Sequence, residues 1–176
     1  MFIYPTGDFF GEKGEKMKKI IVVSDSHGNA NAVEGLRPLI AENDIFVHLG
    51  DGAQDIRAIT AEFPEKVYFC GGNCDFFTAY PAEGVMEVEG VRIFYCHGHR
   101  YGVKNSLDTL AQVAKSRDCD IALYGHTHEA KITQIDGVTL VNPGTLRYAL
   151  DRGGSYCYLV VNGSKFTPVL VGEIFR

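Results

Sequence analysis

Side chains able to ligate a divalent cation stand in five short clusters: Asp25-Ser26-His27, Gly50-Asp51-Gly52, Gly72-Asn73-Cys74-Asp75, His97-Gly98-His99 and Gly125-His126-Thr127-His128. Asp25 and His27 alternate carboxylate with imidazole, so one turn can aim both at the same ion. Asp51 has two oxygens and can bridge two ions, while His126 and His128 can each serve a different one. Oxygen and nitrogen donors without thiolate suit manganese, iron, nickel, cobalt or zinc, and do not select among them. Each cluster alone has an ordinary reading as a helix cap, a turn or a surface loop. Their combination does not, because five of the six histidines fall in these loops. Only His48 lies inside an apolar run, where a structural role is expected.

The elements that must carry these clusters are legible from apolar runs. Ile20–Ser24, Ile45–Leu49, Val67–Cys70, Val91–Cys96 and Ile121–Tyr124 are buried strands that each end at one cluster, and Val138–Val141 leads to Asn142-Pro143-Gly144-Thr145. In open α/β sheets, sites gather beyond the carboxyl ends of strands, so all six loops are expected at one common edge. Ala32, Val33, Leu36 and Ile40 recur at helical spacing, with Pro38 expected to kink or shorten that helix. Ala53–Phe63 reads as a second helix stopped by Pro64, and Leu107, Leu110, Val113 and Ala114 as a third with Ser106 as its cap. Hairpins are expected at Glu89-Gly90, Asp136-Gly137 and Asn162-Gly163. Parallel units followed by an antiparallel set predict two sheets packed together, with helices outside.

At 176 residues the chain fits one compact domain. Residues 1–16, broken by Gly7, Gly11 and a Glu-Lys-Gly-Glu-Lys segment, read as an N-terminal extension before a domain spanning 17–176. The net charge of -5 argues against a broad basic patch for nucleic acid. The five cysteines form no Cys-x-x-Cys pair, which argues against a zinc ribbon or a disulfide framework. Reduced thiols suit the cytoplasm. The start lacks the pattern of a signal peptide, and no apolar run is long enough to span a membrane.

In this order the clusters resemble the calcineurin-like metallophosphoesterase superfamily, whose pattern runs Asp-x-His, Gly-Asp, Gly-Asn, His-Gly, Gly-His-x-His. The match is to its small single-domain bacterial and archaeal phosphodiesterase branch, and Asn142-Pro143-Gly144-Thr145 is similar to that branch's Asn-Pro-Gly-Ser signature. The resemblance covers about residues 18–172. It implies a four-layer α/β/β/α sandwich of two mixed β-sheets flanked by helices. It also implies two divalent metal ions, manganese first, with nickel, iron, cobalt or zinc as alternatives. Asp25, His27 and His128 would hold the first, Asp51 would bridge, and Asn73, His97 and His126 would complete the second.

The implied activity is hydrolysis of a phosphate ester, a diester before a monoester, by in-line attack of a metal-bridging hydroxide. Asn73 would also orient a phosphate oxygen. Cys74 stands where many members carry a histidine that serves the leaving group, and a thiol mimics an imidazolium poorly. His99 is a candidate replacement, as is a metal-bound water, and His99 is equally readable as support for the ligands. Arg147 is a candidate phosphate contact whose ordinary reading is a solvated surface arginine. The expected partner is a small phosphoester, and exposed hairpin edges and the N-terminal arm could support a homodimer. Two alternatives differ in kind: a protein-binding scaffold like the retromer subunit that shares this fold, and a nuclease.

Overall fold

The computed structural model of the protein describes residues 17–76, 79–148 and 153–174; the 1–16 extension lies outside them. The β-branched run that opens the domain forms β1 (Lys18–Val23), the centre of a five-stranded sheet. It pairs in parallel with β2 (Ile45–His48), which pairs in parallel with β3 (Val67–Phe69). On its other side β1 runs antiparallel to β9 (Gly154–Asn162), itself hairpinned to β10 (Lys165–Ile174). The second sheet is built around β5 (Val91–Cys96), β6 (Ile121–Leu123) and β8 (Val138–Pro143), which are mutually parallel in that order. The antiparallel strands β4 (Glu83–Val88) and β7 (Ala130–Ile135) edge it. Both sheets are therefore mixed, as expected.

Strand alternation sorts the side chains into three apolar clusters. Ile20 and Val22 face inward with Val47, Ile93, Leu123, Val141 and Leu159, forming the core between the sheets. Ile21 and Val23 face outward with Phe46 against α1 (Ala30–Gly35), α2 (Arg37–Glu42) and α3 (Arg57–Glu62). On the opposite outer face Phe94, Ala122 and Leu140 meet Leu110, Ala111 and Ala114 of α4 (Asp108–Ser116). These clusters define four layers.

Helix boundaries depart from the sequence expectation in three places. Pro38 does more than kink: the helix over 32–40 is two helices that meet at Leu36, with the proline in the first turn of the second, where its missing N–H costs nothing. The helix expected from Ala53 starts at Arg57 instead, because residues 53–56 form turns held by the loops around them. Ser106 accepts the Asp108 N–H at 3.1 Å, but the residue at the helix boundary is Leu107. All three expected hairpins are present, although the third turns at Gly163-Ser164, one residue later than expected, because Asn162 still pairs with Lys165 as the last residue of β9.

Candidate metal centre

The carboxyl ends of β1, β2, β3, β5 and β6 open at one edge, where backbone hydrogen bonds stitch their loops together. Asp25 N–H donates to Gly50 O at 3.0 Å, His27 N–H to Asp51 O at 2.9 Å and Gly125 N–H to His97 O at 3.1 Å. A side chain at Gly72 would strike the Asp51 carboxylate, so glycine lets the Asn73 loop close onto it. Asp25, His27, Asp51, His126 and His128 all have left-handed backbone, with φ of 55°, 47°, 53°, 69° and 63°. Only a few per cent of non-glycine residues adopt this conformation, which costs free energy and clusters at functional sites.

The side chains converge. Donor atoms of Asp25, His27 and His128 all lie within 4.8 Å of one another, as do those of Asp51, His97 and His126, and those of His27, Asp51 and Cys74. Asn73 joins through its Oδ1, 3.2 Å from His97 Nε2. Asp25 and His97 are fully buried, whereas Asn73 and Cys74 are exposed. Asp25 Oδ2 is satisfied by Ser24 Oγ at 2.5 Å and by the His126 N–H at 3.0 Å. Its other oxygen, Oδ1, is buried without a hydrogen bond among the described residues, although His128 Nε2 stands 3.0 Å away and His27 Nε2 3.6 Å. An unpaired buried carboxylate oxygen is costly, and a cation among these nitrogens would satisfy it. The donor set fits a metal.

Electrostatics and tautomers agree with that fit. His97 Nδ1–H donates to Leu49 O at 2.7 Å, which leaves Nε2 facing Asp51 Oδ2 at 3.3 Å. Burial acts to raise the pKa of Asp51, but His97 and the Cys74 N–H outweigh it and hold the carboxyl below the usual range. Asp25 is also lowered, with burial opposed by His27, His97, Ser24 and His128. Both carboxylates are thus ionised and ready to ligate.

Supporting contacts fix the loops. Asp75 accepts four backbone N–H groups, from Asp51 and Gly72 at 2.8 Å and from Gly52 and Ala53 at 3.0 Å. Asn142, fully buried, donates to Gly125 O at 2.9 Å and to Thr127 Oγ1 at 3.0 Å, and Thr145 Oγ1 donates to Asp25 O at 2.8 Å. His48 is buried as expected. The sequence reading places Ser26 and Asp75 in the clusters without giving them a role and puts Asp55 in a helix; an acidic residue two places after Asn73 and a serine between two candidate ligands are the signals it offers.

His99 sits on a short 3-10 helix (His99–Tyr101), its ring centroid 5.4 Å from His97 and 6.1 Å from His126. Burial, His97 and Arg100 lower its pKa, which favours a neutral ring. Burial and Asp51 push the Cys74 thiol up to about 11, so it stays protonated near neutrality. Arg147 lines the same cavity as His27 and Asp51 rather than standing apart on the surface. The other four cysteines are buried and unpaired.

Several known proteins are similar to this chain in sequence or fold. Phosphodiesterase YfcE of Escherichia coli strain K12 is 29% identical over 164 residues, covering 79% of this chain and 84% of YfcE. A Streptococcus pneumoniae TIGR4 protein described as a predicted phosphoesterase superposes with a TM-score of 0.76 at 27% identity, covering 90% of this chain and 91% of its own. Vacuolar Protein Sorting 29 of Cryptosporidium parvum shares the fold, with a TM-score of 0.71 at 19% identity over 89% and 97% of the two chains. Residues 17–164 match the family model of the Calcineurin-like phosphoesterase superfamily domain, and the chain belongs to that superfamily.

Proposed function

We propose that this metallophosphoesterase hydrolyses phosphodiesters at a centre of two divalent cations. Asp25, His27 and His128 would hold one, and Asn73, His97 and His126 the other, with Asp51 between them. The observation that carries this is Asp25 Oδ1, a buried anionic oxygen with no hydrogen bond among the described residues, at the heart of a nitrogen and oxygen donor set. Asp51 suits the bridging position because Oδ2 lies 3.3 Å from His97 Nε2 and 3.7 Å from His27 Nε2, one from each group. When bound, such a pair supplies Lewis acidity and a water activated near neutral pH.

The chain's own residues do the rest. Leu49 O fixes the His97 tautomer, and Ser24 with the His126 amide pins Asp25. Asn73, exposed at the rim, orients a phosphoryl oxygen. His99, neutral and adjacent to both His97 and His126, steadies the phosphoryl or leaving group by hydrogen bonding. Cys74 keeps its proton and offers only a weak donor there.

A diester is favoured over a monoester by the similarity to a protein named a phosphodiesterase. A protein-binding scaffold would have no need of an intact donor set. Manganese is the first metal to supply, the substrate is a small phosphoester, and five unpaired thiols fit a cytoplasmic setting. The sheet-edge strands β4 and β7 offer surfaces for a homodimer.

The test is metal analysis of the purified protein coupled to assays on a phosphodiester model compound, a monoester and single-stranded DNA. Asp51→Ala and His97→Ala are expected to lose metal-dependent turnover while circular dichroism stays native. Full turnover by either variant overturns the mechanism.

A further inference from the structure

A cavity of about 320 Å³ opens against the centre on the side of His27 and Asp51, and its rim reaches Gln54 and Arg147. Its carboxylates are already committed. Asp51 Oδ1 accepts the Cys74 N–H at 2.6 Å, Asp55 Oδ2 accepts from Ser26 Oγ at 2.6 Å and Gly28 N–H at 2.9 Å, and Asp75 holds four amides. Arg147 is different. Among the described residues its guanidinium has no carboxylate partner; it lies over the Tyr148 ring at 5.3 Å. Its backbone is nonetheless fixed, the N–H donating to Thr145 Oγ1 at 3.0 Å and the carbonyl accepting from Asn29 Nδ2 at 3.2 Å. The Gln54 side chain, exposed on the same rim, likewise has no hydrogen bond among the described residues.

The metal-ligand candidates His27 and Asp51 form the inner end, and the exposed Arg147 the outer end. The space is of the size that takes a small ligand rather than a lone phosphoryl group. A guanidinium presents a planar fork of donors that matches phosphate oxygens two at a time, and an aromatic face beneath it limits its freedom. We propose that Arg147 and Gln54 form a specificity subsite for substrates that carry a second phosphate away from the scissile one. Arg147 grips the distal phosphate, and Gln54 hydrogen-bonds the polar arm between the two. The substrate class is then a phosphodiester of a bisphosphorylated nucleoside or sugar. The subsite rests on the phosphoesterase function proposed above and narrows it.

The experiment uses the metal-loaded chain and two nitrophenyl esters of a nucleoside phosphate, one with and one without a second phosphate on the sugar. The wild type is expected to prefer the bisphosphate in kcat/KM through a lower KM. In Arg147→Gln the ratio of kcat/KM between the two esters falls about tenfold, as the loss of one charge-assisted contact would give. Arg147→Lys restores part of it, and Gln54→Ala lowers the ratio less. Metal content is measured in each variant, so that a general disturbance of the centre shows as a loss common to both substrates. A wild type without preference, or an Arg147→Gln variant that keeps the wild-type ratio, overturns the subsite. If neither ester is turned over, the proposed function fails. Calorimetric titration with the corresponding nucleoside bisphosphate and monophosphate then decides the subsite alone. Tighter binding of the bisphosphate that vanishes in Arg147→Gln supports it, and equal binding or a preference that survives in Arg147→Gln overturns it.

Discussion

His48 and Asp55 are joined by hydrogen bonds that run behind the first ligand turn. The Gly50 N–H approaches His48 Nδ1 at 3.2 Å, so the ring proton belongs on Nε2, which faces Ser26 Oγ at 3.1 Å; Ser26 then donates to Asp55 at 2.6 Å. Complete burial depresses the His48 pKa from 6.5 to about 4, against the raising effect of Asp75, Asp25 and Asp55. The sign follows directly. Between these values the unfolded chain binds a proton that the folded chain refuses, so stability is full above pH 6.5 and declines as pH falls toward 4. The shift corresponds to at most about 3 kcal/mol. His48→Gln, which cannot titrate, is expected to show a shallower decline than the wild type in denaturant unfolding of metal-free protein across that range. Parallel curves would remove His48 from the account of acid sensitivity.

At the level of elements, the loops after β2 and β3 are held together by one carboxylate. Asp75→Ala frees four amides and is expected to destabilise the fold by about 2–4 kcal/mol. Divalent-metal affinity should drop by about tenfold or more, since Asp51 loses the anchor of its own N–H. Denaturant unfolding and isothermal titration check the two effects separately, and an unchanged affinity would show that Asp51 is placed without Asp75. The same clamp explains where sequence reasoning stopped. Strands were legible because Ile20–Val23 and Ile121–Leu123 bury apolar side chains on both faces, which a β-branched run announces. The clusters at their ends were legible because ligand chemistry demands particular residue types. Ala53 and Asp55 fall in a segment whose helical reading rests on Ile56, Ile59 and Phe63 sharing one face, whereas what holds the two out of α3 is hydrogen bonding to Asp75, Ser26 and Gly28 across loops distant in sequence. Nor could spacing reveal that Arg147 opens onto the cavity at His27, since that depends on how β8 returns toward β1.

For the molecule as a whole, the members of all three apolar clusters among the described residues lie within residues 20–170, and the family match begins at residue 17. We therefore propose that 1–16 is an accessory extension. A chain starting at Met17 should melt within a few degrees of the full chain and keep its metal-dependent turnover. Loss of turnover in a folded product would assign the extension to the catalytic unit. The left-handed residues at the centre bear on the whole chain in another way. Each non-glycine residue in that conformation is disfavoured by roughly 1–2 kcal/mol, and His27, His126 and His128 are three of them. A breeding programme that rewarded only heat tolerance would find its easiest improvements by writing glycine at these histidines, and under the ligand roles proposed above would end with a sturdier but inert protein.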